Sequence, residues 1–117
     1  MSLKAYKAAQ IATEDPRVTE YRLFGQVTGA LLNAKESKAE GSPLVEALDW
    51  NRRLWRTLAA DCMDDRNTLT EDVRAKIISL SLWVAKYSRS VTREKAPLDP
   101  LIEINRTIMQ GLQAKVG

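Results

Sequence analysis

The sequence predicts an all-α protein, one domain over residues 1–117 built as a bundle of four main helices plus a short N-terminal helix. Three observations carry that prediction. Apolar residues recur at spacings of three and four along several segments, as a helix with one buried face requires. Three times a helix-capping residue stands directly before proline, at Asp15-Pro16, Ser42-Pro43 and Asp99-Pro100. Proline suits a first helical turn, where its missing N–H has no intrahelical partner. No segment shows the alternation of a half-buried strand. At 117 residues and 44% hydrophobic content the chain is large enough for one core of its own.

The first helix is expected over 3–13, an alanine-rich stretch with Leu3, Lys4, Tyr6, Lys7 and Ile11. Alone in water so short a helix is marginal, so it is either docked or mobile. The second, over 16–36, places Leu23, Phe24, Val27, Ala30, Leu31 and Ala34 on one side. Its far side carries Val18, Tyr21, Gly25, Gly29 and Leu32. Glycine inside a helix costs about 1 kcal/mol relative to alanine, so close approach of another helix, from this chain or a partner, is expected there. The small, polar stretch 36–42 reads as a flexible connection rather than a domain boundary.

The third helix, 43–62, has the stripe Leu44, Leu48, Asn51, Trp55, Leu58 and Cys62. The fourth, 70–93, opens near Thr68 to Thr70, where Thr68-x-x-Glu71 fits a capping box and Glu71-Asp72 suit the positive end of the helix dipole. Its main stripe is Val73, Ile77, Leu80, Val84, Tyr87 and Val91, flanked by Trp83. A second apolar row, Ile78, Leu82 and Ala85, lies about half a turn away. The helix is therefore either central to the bundle or presents an exposed apolar face. The fifth, 100–114, repeats Leu101, Ile102, Asn105, Ile108, Met109 and Leu112.

Asn51 and Asn105, each followed by arginine, interrupt stripes that are otherwise apolar. An unpaired buried amide costs about 1 to 3 kcal/mol. If the stripes face the core, both asparagines are polar pins with a partner of their own, expected to be a backbone group at a neighbouring helix end or loop. The alternative sets them at the wet edge of the stripe.

Composition excludes whole classes of chemistry. The absence of histidine removes the commonest general base and metal ligand. Asp61, Asp64, Asp65 and Asn67 lack the glycine and terminal glutamate of a calcium loop and read as a turn between helices. The five glycines form no phosphate-cradling loop, and the single Cys62 allows no internal disulfide and falls on a core stripe. No catalytic set can be named, and no cofactor or metal is expected. No apolar run is long enough to span a membrane, and Met1-Ser2-Leu3-Lys4 lacks a secretory h-region, so a cytoplasmic location is expected.

Net charge is +3. Lys86, Arg89 and Arg93 share one face at the end of the 70–93 helix, where cations favour the dipole with or without a ligand. They are the one candidate for an RNA contact. The candidate protein-binding residues are apolar surface beyond what one small core absorbs: Tyr21, Leu32, Ile78 and Leu82, with the off-stripe Trp50 beside Arg53. Trp50 is either part of an interface or a single exposed aromatic.

Together the segments resemble a known family. Thr19-Glu20-Tyr21-Arg22 with Phe24, Leu44-Val45-Glu46-Ala47-Leu48 leading into Asn51-Arg52-Arg53-Leu54-Trp55, and Leu58-Ala59-Ala60-Asp61 are similar to the alphaproteobacterial flagellar biosynthesis regulators of the FlaF family. Ile77-Ile78-Ser79-Leu80 and Ile104-Asn105-Arg106-x-Ile108-Met109-x-Gly111-Leu112 continue the match in order over nearly the whole chain. The resemblance implies a non-enzymatic protein that controls flagellin production and export, working through flagellin and alongside the companion regulator FlbT. Two other functional classes stay open, a direct RNA-binding regulator of flagellin expression and a structural homodimer that pairs its own apolar rows.

Overall fold

The computed structural model describes the backbone of residues 16–116 and the side chains of residues 21–111. It contains four helices and, among the described residues, no strand: α1 (Pro16–Glu36), α2 (Ser42–Met63), α3 (Glu71–Glu94) and α4 (Asp99–Val116). The helix expected over 3–13 lies outside the described residues. So do the Asp15 cap and the side chains of Val18 and Leu112.

Three of the expected start signals are displaced. Gly41, at φ 63°, occupies the position before α2 and supplies no side-chain bond, while Ser42 is already helical. Asp99 likewise belongs to the first turn of α4, and the amides of Leu101 and Ile102 donate to the Leu98 carbonyl. α3 is capped by Thr70, whose hydroxyl accepts from the Val73 amide at 3.4 Å, so the capping box from Thr68 does not form. At α2 and α4 the prolines remain in the first turn and the helix begins one residue before the sequence expectation, while the α3 cap, Thr70, lies two residues after Thr68. Asp99 instead pairs with Lys35 at the end of α1.

The helix ends are closed by backbone bonds. Lys38 and Lys95 adopt left-handed φ values of 53° and 57°. Beyond them, the Ala39 amide donates to Ala34 O at 2.9 Å and the Ala96 amide to Ser90 O at 3.3 Å, satisfying carbonyls the helices leave open. The 36–42 connection is thus a bonded turn rather than a loose tether.

α2 and α3 run antiparallel. Arg74 of α3 donates to Cys62 O near the end of α2, and Ser81, further along α3, donates to the earlier Trp55 O. α3 packs mainly on α2, α4 mainly on α1, and α1 joins α2, so α3 is at one side of the bundle rather than at its centre. The core is built on Phe24, Val27 and Leu31 of α1, Leu48, Trp55 and Leu58 of α2, Val84 and Val91 of α3, and Leu101 and Ile102 of α4. Phe24 meets Trp55 edge to face, with ring centroids 5.6 Å apart. Leu23, assigned to the core side of α1, is 37% exposed, and Leu80 of the α3 stripe is half-buried.

The glycines of α1 meet no close neighbour among the described residues. A β-carbon at Gly25 would stand 3.6 Å from Met109 Cε, an ordinary contact, and one at Gly29 would meet nothing within 4 Å. Among the described residues no helix approaches closely enough to require either glycine.

Candidate functional site

The two asparagines meet in the core. Asn51 and Asn105 are both 0% exposed. The Trp55 indole N–H donates to Asn105 Oδ1 at 2.8 Å, and Asn105 Nδ2 donates to Asn51 Oδ1 at 2.8 Å. Each finds a partner, but that partner is another stripe side chain and not the backbone group expected from the sequence. Trp55 was the missing third member. Its place on the same stripe, four residues after Asn51, was visible, but its indole N–H gave no sequence signal of its target. The chain of two bonds fixes α4 against α2 at one register, because a shift of either helix would leave two or more buried polar atoms without partners. Asn51 Nδ2, at the end of the chain, has no acceptor among the described residues.

At the foot of α2 a second polar arrangement joins α2 to α3. Arg74 Nε donates to Cys62 O at 2.6 Å and its Nη2 to Asp64 O at 3.2 Å, so a charged side chain takes carbonyls that the end of α2 leaves open. Within the turn Asn67 Nδ2 donates to Asp61 O, and Arg66 grips Asp64 through its backbone amide, Nε and Nη2. The Arg66 bonds, first the side chain and then the amide, hold the Asp64 carboxyl below the usual carboxylate range, with Arg74 adding to the effect. The acidic cluster is a built turn, and Cys62 above it is buried.

The face with no such internal purpose lies across α2 and α3. Here the second apolar row of α3 emerges: Ile78 and Ala85 are half-buried, and Leu82 is 70% exposed. It borders a groove of about 330 Å³ whose other wall is α2, with Arg52, Arg56, Ala59, Ala60 and Met63. Met63 is 62% exposed. The choice left open by the sequence is thereby decided, since α3 is peripheral and presents an apolar face.

The remaining candidates do not join this groove. Trp50, 37% exposed, borders a separate depression between α1 and α2 with Ala30, Asn33, Ala34, Pro43 and Glu46. Arg53 is turned to Asp49, its Nε 3.3 Å from the carboxylate. Tyr21 is half-buried on α1, and Leu32, also half-buried, packs against the core. Ile78 and Leu82 are thus together, while Trp50, Arg53, Tyr21 and Leu32 lie elsewhere. Arg52 and Arg56 were missed as groove residues; their spacing of four placed them on one face of α2, but nothing local says which helix that face meets.

Lys86, Arg89 and Arg93 are all exposed on the last turns of α3. Tyr87, the aromatic nearest them, stacks on Trp83 with centroids 5.0 Å apart and donates its hydroxyl to Pro97 O at 2.6 Å. Burial, with Asp99 nearby, raises its ionisation above the ordinary tyrosine range.

Among the described residues no group of three or more acidic or cysteine side chains could hold a metal ion, and no helix is long and apolar enough to cross a membrane. No curated protein and no solved structure matches the chain. The family model described as "Flagellar protein FlaF" matches residues 2–112. The match runs through both asparagine-bearing helices and the α2–α3 groove, and the chain belongs to the FlaF family, with a role in flagellar biogenesis.

Proposed function

We propose that this protein is a non-enzymatic regulator that binds flagellin in the cytoplasm as a chaperone would, and through that binding controls flagellin synthesis and export. The observation that carries the reading is the row of exposed Leu82 with half-buried Ile78 and Ala85 beside α2, in a family of flagellar proteins. A small helical body that leaves such a row open offers an amphipathic helix what its own kind would offer in a filament. Burying the exposed Leu82 there contributes about 1.5 to 3 kcal/mol and the half-buried Ile78 and Ala85 less, and the apolar side chains of the bound helix add to these against the cost of association. The reading needs no catalytic residue.

Co-purification of the protein with flagellin and with FlbT, each alone, tests it. A complex with flagellin in the absence of FlbT supports direct chaperoning. Failure to hold flagellin, together with RNA binding that falls steeply with salt and with charge reversal at Lys86, Arg89 or Arg93, moves the function to the basic face.

A further inference from the structure

The α2–α3 groove has a charged end that its apolar lining does not require. Arg52 and Arg56 stand one turn apart on the α2 wall. Among the described residues Arg52 engages Asp49 at 3.5 Å through Nη2, and its buried Nε has no acceptor. Arg56 is exposed and has no carboxylate partner among the described residues. On the opposite wall the apolar row continues in register to a cation, because Ile78, Leu82, Ala85 and Arg89 recur at spacings of four, three and four. The antiparallel pairing, with Trp55 beside Ser81 and Cys62 beside Arg74, puts Arg52 level with the Ala85 end of that row and Arg56 level with its middle, near Leu82, while Met63 lies beyond the Ile78 end. The groove therefore runs from an apolar half at Met63, Ala60 and Ile78 to a half walled by Arg56 and then Arg52, with Arg89 one turn beyond Ala85 and outside the lining. From Ile78 to Ala85 the lining spans about 10 Å, roughly two helical turns, and Arg89 extends the row along α3 to about 16 Å, roughly three turns.

From this polarity we infer that the groove takes a single amphipathic helix of about three turns whose apolar row gives way to carboxylates, which lie over Arg56 and Arg52 and toward Arg89 and fix the direction in which the helix binds. The inference rests on the proposed chaperone reading for the identity of its natural occupant, a flagellin helix, but the charge rule stands on the groove alone. Apolar burial supplies most of the affinity, and the arginines supply orientation and choice among helices, as charges at an interface rim do. It also brings the basic face next to the apolar row, since Arg89 stands one turn beyond Ala85 on the same side of α3.

The test uses two helix-stabilised synthetic peptides with the same row of leucines, one ending the row in glutamates and the other carrying lysines at those positions. Affinity for the full-length protein is measured by fluorescence anisotropy. The glutamate peptide is expected to bind about ten-fold more tightly. Arg56→Glu, an exposed position, and Arg52→Gln should each erode that preference. Leu82→Ser should weaken both peptides while the helical dichroism stays that of the wild type. Equal affinity for the two peptides, no binding of either, or a preference that survives both arginine variants overturns the inference. If the peptides behave as expected but purified flagellin does not bind, the groove rule holds and the flagellin reading falls. If flagellin binds while the peptides show no preference, the reverse follows.

Discussion

Replacing Asn105 should damage the fold more than replacing Asn51, although both side chains are fully buried and differ by nothing in size. Asn105 is the middle of the chain: it accepts from Trp55 and donates to Asn51. Asn105→Ala strands the indole N–H and Asn51 Oδ1, two buried groups at about 1 to 3 kcal/mol each, so a loss of about 2 to 6 kcal/mol is expected before any cavity is counted. Asn51→Ala strands only Asn105 Nδ2, and it removes an amide nitrogen that already lacks an acceptor. Its expected loss is about 1 to 3 kcal/mol. The double variant should cost less than the sum of the singles, because the Asn51–Asn105 bond is counted in both. Urea unfolding at neutral pH, followed by far-ultraviolet dichroism and by tryptophan fluorescence, measures all three. Equal losses, a larger loss for Asn51→Ala, or strict additivity would show that the network does not act as a chain with Asn105 at its centre.

Three further outcomes follow from the same structure. Arg74→Met should destabilise by about 1.5 to 3 kcal/mol in the same assay, since its charged bonds to Cys62 O and Asp64 O tie α3 to the end of α2. Gly29→Ala should raise the melting transition by an amount equivalent to about 0.5 to 1 kcal/mol, because a β-carbon there meets nothing within 4 Å; a lower transition would mean that some partner helix does approach that face. Asp64 has a folded pKa below its unfolded one, so its contribution is present above the ordinary carboxylate value of about 4 and is lost as pH falls through the lower folded value. Asp64→Asn should therefore be less stable than wild type at neutral pH, with the gap closing in thermal melts taken below about pH 4.

The helices and their buried faces were legible because periodicity is a local property: Leu48, Asn51, Trp55 and Leu58 declare one face of α2 by spacing alone. The burial of Asn51 and Asn105 followed from the same spacing. Their partnership did not, because residues 51 and 105 meet only once α4 has been placed, and periodicity carries no information on which stripes touch. The misplaced caps at Ser42 and Asp99 have a simpler cause. A proline is acceptable throughout the first turn, so Pro43 and Pro100 mark where a helix begins only to within a residue. The glycines of α1 were read as signs of close packing on their cost alone, and among the described residues nothing lies within 4 Å of a β-carbon at Gly29. At the groove the legible half was the second row of α3, while the half that gives it polarity, Arg52 and Arg56, depended on a helix pairing that no local pattern encodes.

The central claim is that flagellin is held in the groove between α2 and α3. At 13.1 kDa the protein suits nuclear magnetic resonance, and the direct measurement is the change in its amide signals as unlabelled flagellin is added. Signals from residues 59–63 and 78–89 should shift or broaden first, and Leu82→Ser should suppress the effect without altering the rest of the spectrum. Changes centred instead on Trp50 and the α1–α2 depression, or no change at all at stoichiometric flagellin, would contradict the claim.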